Sequence, residues 1–128
     1  MGHKATFEVI QAAVPKEDFE LIRGYFSDDF VLYEPEALPY GGEWAGPQGF
    51  IDLTRKIRTS YKVDVIKSEL TEAGDDLLVC EYVFGFTSLR TGERLEVACV
   101  DLFRFDKNGK LLRGDAYYAD YAKLAAIA

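Results

Sequence analysis

Apolar residues recur at helical spacing in three segments of the first half of the chain. Residues 5–13, 15–27 and 47–60 each place large apolar side chains three or four positions apart, which predicts three helices. Pro15 and Pro47 stand at the starts of the second and third segments, where the missing N–H of proline costs no helical hydrogen bond. We therefore expect a helical N-terminal half.

The segment between the second and third predicted helices follows a different pattern. Residues 30–34 alternate between two faces and predict a short strand. The following segment, 35–46, is rich in Pro and Gly and predicts a loop. This loop also carries Leu38, Tyr40 and Trp44, so we expect it to pack down as a lid or rim rather than to stay in solvent.

The second half of the chain alternates as strands. Glycine- and aspartate-containing turns separate the strands, and such short connections are typical of antiparallel hairpins. The tail after the last strand predicts a short terminal helix. The element order predicts one α+β domain over residues 1–128, with three N-terminal helices against a curved antiparallel sheet. The predicted strands are residues 62–72, 77–89, 94–106 and 110–118.

Two acidic residues interrupt apolar rows in the predicted strands. Asp101 shares a strand face with Cys99 and Phe103, and Glu34 shares one with Leu32. A carboxylate that leaves water without a partner pays a large desolvation penalty, so it stays protonated, finds donors or lines a cavity. Both acids are therefore candidate catalytic residues. For Asp101 the alternative is a structural role as a loop cap or in an ion pair with arginine.

Composition and charge narrow the classes of function. A net charge of −7 argues against nucleic-acid binding, which needs clustered lysine and arginine. No apolar run approaches the roughly 20 residues that cross a bilayer, and no leader is apparent, so we expect a cytoplasmic protein without a membrane partner. Cys80 and Cys99 lack metal or disulfide spacing and are predicted to be free core thiols. His3 is the only histidine, and we expect neither a metal nor a cofactor.

Three stretches carry a family resemblance: YFSDDFVLYEP at 25–35, a Gly-Pro-x-Gly-Phe helix start at 46–50, and VDLFRFDKNGKLLRGDAYYAD at 100–120. Together with the element order, they resemble SnoaL-like and ketosteroid-isomerase-like members of the nuclear-transport-factor-two-like superfamily. The resemblance covers nearly the whole chain. It implies a cone-shaped, cystatin-like α+β roll in which one bent sheet surrounds a pocket.

The resemblance also implies roles for the two acids. Glu34 matches the general base at the end of the first strand, and Asp101 matches the protonated acid that donates to the developing oxyanion in steroid isomerases. Two positions depart from that pattern. Ile10 stands where the isomerases have their oxyanion tyrosine, and Thr54 stands where they have a supporting tyrosine. Because one such donor is typically worth a hundredfold or more in rate, we do not carry steroid isomerase activity over to this chain.

Strand alternation and the resemblance together predict the pocket wall. Aromatic residues make up 14% of the chain, more than its helices need, which indicates an aromatic core or pocket. We expect Tyr40 or Trp44 at the mouth of the pocket. The residues predicted to line its wall are Tyr82, Phe84, Phe86, Cys99, Phe103 and Tyr118.

The opposite face of the same strands is also apolar. One layer of helices covers one face of a sheet, so a second apolar face indicates a further partner. We expect a homodimer that packs through this face. The residues predicted for its interface are Val83, Ala98, Val100 and Leu102.

These observations favour a cofactor-independent isomerase, cyclase or lyase that acts on a small, largely apolar cyclic carbonyl compound. The alternative is a non-catalytic module of the same fold that binds a small molecule or dimerises, because fold does not fix function. Epoxide hydrolysis is a further alternative. Desolvation should raise the pKa of both acids, and their strand positions predict that Asp101 holds the proton while Glu34 is ionised.

Overall fold

The computed structural model, which describes residues 2–128, contains three N-terminal helices packed on a curved, unclosed six-stranded sheet. The predicted α+β class and the three N-terminal helices are confirmed. The elements are α1 (His3–Ala13), α2 (Phe19–Arg23), β1 (Phe26–Glu34), β2 (Gly42–Ala45), α3 (Gly46–Ser60), β3 (Tyr61–Ala73), β4 (Leu77–Ser88), β5 (Arg94–Phe105), β6 (Leu111–Tyr118) and α4 (Tyr121–Ile127).

The strands lie in the order β2-β1-β6-β5-β4-β3. Helix α3 carries the chain from β2 to the opposite edge of the sheet, and the hairpins of β3 to β6 then return it to β1. As a result β6 meets β1 in parallel, whereas the other neighbours are antiparallel. The prediction of a wholly antiparallel sheet was wrong at this one pair, because strand direction depends on the path of the chain and not on the strands' own patterns.

The predicted faces of the central strands are confirmed. Strands β4 and β5 pair without interruption from Leu77↔Arg104 to Thr87↔Arg94, so Gly85 does not introduce a bulge. The sheet's irregularity lies instead in β3, between Val65 and Lys67. Along β5 the buried and exposed residues alternate as expected, and the inward row consists of Val97, Cys99, Asp101, Phe103 and Phe105.

The second helix is much shorter than predicted. Helix α2 spans Phe19–Arg23, whereas helical spacing predicted 15–27. Phe26 already belongs to β1, where it packs against Phe30 and Phe50 with ring centroids 4.8 and 4.9 Å apart. A residue four positions before Phe30 lies on the same side in both a helix and a strand. Periodicity therefore could not separate the two, and the aromatic packing decides for the strand.

The segment predicted to be a loop is built into the wall of the sheet. Its residues Gly42–Ala45 form β2, which pairs with β1, and the preceding turn buries Leu38 and Tyr40 completely or almost so. Trp44 donates its indole N–H to the backbone oxygen of Tyr40 at 2.9 Å. These contacts hold the turn against β1 and leave it no lid-like position.

The hydrophobic core lies between the helices and the concave face of the sheet. Ile10, Ile22 and Ile51 contribute to it from the three N-terminal helices, and Leu78 and Leu111 from the strands. This core does not fill the whole concave side, and an open cavity remains beside it. Within residues 2–128, none of the helices has the length and apolar character needed to cross a membrane.

Candidate active site

The concave face of the sheet, α1 and α3 enclose a cavity of about 840 Å³. A volume of this size is typical of small-molecule sites. Both acids that interrupt the apolar rows, Glu34 and Asp101, line it. Of the residues predicted for the pocket, the structure also brings together Tyr40, Tyr82, Phe84, Phe86, Phe103 and Tyr118.

Two of the predicted pocket residues do not line this cavity. Trp44 donates its indole N–H to the backbone oxygen of Tyr40, and of these two residues only Tyr40 lines the cavity. Cys99 points inward but is 3% exposed, and its thiol lies against Asp101 with a 3.5 Å Sγ to Oδ1 distance. Strand alternation gave the correct side for Cys99 but could not show that larger neighbours cover it.

The strand register brings the two acids together. Strand β6 lies between β1 and β5, and Asp101 pairs with Ala116 on β6. The pairing of Tyr33 with Asp115 places Glu34 beside the same Ala116. Neighbouring strands are about 4.8 Å apart, so the Cα atoms of the two acids are roughly 10 Å apart. The small side chain of Ala116 lies between them. A larger residue than alanine here would separate the two carboxyls.

A chain of hydrogen bonds ends on Glu34. The Tyr40 hydroxyl donates to the Tyr118 hydroxyl at 2.9 Å, and Tyr118 donates to Oε2 of Glu34 at 3.2 Å. Tyr40 comes from the turn before β2, whereas Tyr118 comes from the end of β6. The carboxyl group is thus held in place from two separate elements.

Asp101 has fewer protein contacts. The Asp101 carboxyl accepts a weak hydrogen bond from the Cys99 thiol. Neither Asp101 nor Glu34 forms a salt bridge with a lysine or arginine among residues 2–128. Burial raises the pKa of Asp101 to about 7, and the thiol contact opposes this rise. The structural alternative of an arginine partner for Asp101 therefore does not describe this site.

The pKa of Glu34 is also raised, well above its usual range. Burial is the largest cause, the charge of Asp101 adds to it, and the hydrogen bond from Tyr118 opposes it. Both carboxyls are therefore harder to ionise in this cavity than in water. The sequence predicts an ionised Glu34 because Pro35 ends its strand near solvent, and which of the two acids holds the proton stays a prediction. In the structure Tyr40 and Tyr118 cover that end of the strand.

The SnoaL-like domain model matches residues 7–114. The match includes most of the chain and both strands that carry the acids. The chain belongs to the SnoaL-like family.

Solved structures agree with this assignment at the level of fold. An NTF2-like protein of unknown function from Burkholderia pseudomallei is 20% identical, with a TM-score of 0.84 over 99% of this chain and 97% of that one. A proposed polyketide cyclase from Xanthomonas campestris is 16% identical, with a TM-score of 0.77 over 98% and 95%. TerC, crystallised with polyporic acid, is 22% identical, with a TM-score of 0.75 over 95% and 96%. No curated protein matches the sequence.

This SnoaL-like domain has no tyrosine at the two positions where the steroid isomerases have one. Ile10 lines the cavity without a polar atom, and the Thr54 hydroxyl donates to the backbone oxygen of Ile51 at 2.8 Å. The next residue along α1 contributes instead, because Gln11 donates its side-chain N–H to the Tyr82 hydroxyl at 2.7 Å. Sequence reasoning missed Gln11, since a lone glutamine on a helix gives no pattern that links it to a distant strand.

Carboxyl, hydroxyl and amide groups line the cavity, and the cationic side chains of Arg58 and Lys62 also line it. No cluster of His, Cys, Asp and Glu within the described part of the chain is arranged to hold a metal ion. The cavity wall is otherwise largely aromatic and aliphatic, with Phe7, Phe50 and Leu53 contributed by the helices. Such a wall suits an apolar ligand, and the two acids provide a proton donor and a proton acceptor for it.

Proposed function

We propose that the protein is a cofactor-independent acid–base enzyme, of the isomerase, cyclase or lyase type, acting on a small, largely apolar cyclic carbonyl compound. The observation that carries this proposal is the pair of carboxyls, Glu34 and Asp101, inside one aromatic cavity without a basic partner. Pairs of acids with displaced pKa values are typical of acid–base sites. The fold shared with TerC and with the Xanthomonas protein supports a ligand of the size of polyporic acid or of a polyketide.

In this proposal the surroundings of each acid assign its role. Asp101, whose pKa is about 7, accepts a proton from the carbon next to the ligand carbonyl. A base with a pKa close to the working pH combines a useful fraction of the ionised form with sufficient basicity. Glu34, whose pKa is raised well above its usual range by burial and by the charge of Asp101, holds a proton and delivers it to the ligand. Tyr118 and Tyr40 hold Glu34 in position for this transfer.

The test is deuterium exchange into β-tetralone, a bicyclic ketone with acidic hydrogens next to its carbonyl. Nuclear magnetic resonance in heavy water follows the exchange, and we expect the wild type to exceed buffer. Asp101→Asn and Glu34→Gln should each lower the enzymatic rate by about a hundredfold or more, because each removes an acid–base group. Glu34→Gln should keep binding β-tetralone, since the amide has nearly the same shape.

A matched control is Asp28→Asn, which changes an exposed carboxylate on the same strand as Glu34. It should leave exchange at the wild-type rate. If the wild type binds β-tetralone but exchanges it no faster than buffer, the acid–base proposal is wrong for this ligand class. The non-catalytic binding module then describes the protein better.

We also propose that the outer face of the sheet forms a homodimer interface through Val83, Ala98, Val100 and Leu102. Val100 is 36% exposed, and its cross-strand neighbour Tyr117 is 59% exposed, so large apolar surface is available there. Light scattering at micromolar concentration should give about twice 14.4 kDa. Val100→Asp should restore the monomer mass, and a monomeric wild type would contradict the proposal.

A single domain and a cytoplasmic location stay predictions.

A further inference from the structure

The cavity tyrosines differ in where their hydroxyl protons go. Tyr40, Tyr61, Tyr82 and Tyr118 all line the cavity. Tyr61 donates to a backbone oxygen of α4 at 2.7 Å, Tyr40 donates to Tyr118 at 2.9 Å, and Tyr118 donates to Glu34 at 3.2 Å. A hydroxyl group carries one proton. These three tyrosines would each have to give up a protein hydrogen bond before they could donate to a ligand.

Tyr82 is in a different situation. Its oxygen accepts the N–H of Gln11 at 2.7 Å, and its own proton has no oxygen or nitrogen acceptor among residues 2–128. Its proton is directed at the sulfur of Cys80, which is a weak acceptor. The Tyr82 ring is 7% exposed and stacks on Phe84 with centroids 4.6 Å apart. The hydroxyl is therefore held at a fixed place, and a ligand oxygen would replace only a weak sulfur acceptor.

This hydroxyl is close to the proposed base. Tyr82 pairs with Cys99, and Asp101 follows two residues later on the same inward face of β5. Such diagonal neighbours have Cα atoms about 7–8 Å apart, within reach of a tyrosine side chain. Burial is the largest cause that raises the pKa of Tyr82, and the negative potentials of Cys80 and Asp101 add to it, which agrees with this proximity. Tyr82 thus stays a neutral donor at the pH where Asp101 ionises.

We propose that Tyr82, held by Gln11, donates the hydrogen bond that binds the carbonyl oxygen of the ligand. In such a ligand, only the carbonyl carbon lies between the carbonyl oxygen and the carbon that loses its proton. This short separation fits a donor and a base that occupy diagonal positions on one face of the sheet. Tyr82 thereby takes over the role for which Ile10 has no donor. The site selects cyclic compounds whose carbonyl oxygen reaches β4 while the neighbouring carbon lies at Asp101. This assignment rests on the proposed function, because it takes a carbonyl ligand for granted.

The test measures the carbonyl group directly. Infrared difference spectroscopy on β-tetralone, isotopically labelled at its carbonyl carbon, reports the hydrogen bond that the oxygen accepts. In the wild-type protein the band should move to lower frequency on binding. Tyr82→Phe should abolish most of that displacement and weaken binding by up to about tenfold, the effect of one neutral hydrogen bond. Gln11→Leu should give an intermediate displacement, because the hydroxyl then loses its orientation.

Tyr61→Phe is the matched control, since it removes a cavity hydroxyl whose proton goes to the backbone. It should keep the full displacement of the carbonyl band. A full displacement in both Tyr82→Phe and Gln11→Leu would overturn the assignment, as would a wild type that binds β-tetralone without any displacement or does not bind it. A normal displacement in a wild type that fails to exchange deuterium would instead leave the Tyr82 assignment standing and refute only the acid–base function.

Discussion

Replacing Asp101 with asparagine should stabilise the protein at neutral and alkaline pH. The pKa of Asp101 is about 7 in the folded protein, against a usual value of 3.8, so the folded state holds this proton more tightly than the unfolded state. The protonated carboxyl therefore favours folding at low pH. That contribution is fully present below 3.8 and is lost as the pH rises to about 7. Above this window the folded protein bears the whole cost of a buried charge.

The size of the effect follows from the same two values. Each tenfold change in proton affinity corresponds to about 1.4 kcal/mol, so the interval from 3.8 to about 7 corresponds to about 4 kcal/mol. Asparagine keeps the shape but never ionises, and its amide still occupies the place beside Cys99. Allowing for imperfect hydrogen bonds of that amide, we expect a gain of about 2–4 kcal/mol in the free energy of unfolding at about pH 8, and almost none at about pH 4.

Urea unfolding, followed by the fluorescence of Trp44, measures this free energy at a series of pH values. The informative quantity is the difference between Asp101→Asn and the wild type, plotted against pH. Asp28→Asn, at an exposed position on β1, should give no comparable rise between the acidic and the neutral range. A difference that is flat with pH, or an Asp101→Asn protein less stable than the wild type at about pH 8, would refute the reasoning.

Two further predictions concern neighbours of the acids. Tyr118→Phe removes the donor that opposes the raised pKa of Glu34, so the alkaline limb of a pH–rate profile should move to higher pH. It should also cost about 1–3 kcal/mol in urea unfolding, because the buried Tyr40 hydroxyl loses its acceptor. Gly114→Val should lower the melting temperature at a cost of about 1–3 kcal/mol. A Cβ at position 114 would lie 2.5 Å from Leu32 and 2.6 Å from Phe103. The control is Gly109→Val, because a Cβ at position 109 has no neighbour within 4 Å and the variant tests backbone strain alone.

Most of the fold could be predicted because its strands are regular. Alternation identified the inward faces of β4 and β5 correctly, since their pairing runs unbroken and each side chain keeps its side. The incorrect predictions concern segments whose local pattern fits two structures or gives no signal. Phe26 suited a helix and a strand equally well, and β2 is only four residues long inside a segment rich in Pro and Gly. The parallel pairing of β1 with β6 depends on the route of the whole chain.

The residues of the candidate site also differ in whether a local pattern identifies them. Glu34 and Asp101 could be found from the sequence, because an acid in an apolar row is visible in one strand alone. The sequence left Tyr40 and Trp44 as alternatives for the pocket mouth; Tyr40 lines the cavity, whereas the Trp44 indole N–H donates to the backbone of its own turn. The pairing of Gln11 with Tyr82 joins residues 71 positions apart through two side-chain atoms. No periodicity in α1 or β4 encodes such a contact.

The electrostatic coupling of Glu34 and Asp101 affects what each variant at this site measures. Two acids that repel each other inside one cavity titrate as a pair, so the raised pKa of Glu34 belongs partly to Asp101. Asp101→Asn removes that charge, and the pKa of Glu34 should then fall even though nothing near Glu34 has changed. Each single variant therefore alters the acid that remains. The stability effects of Asp101→Asn and Glu34→Gln should not add in the double variant, and the combined gain at neutral pH should be smaller than the sum, because the repulsion is removed only once.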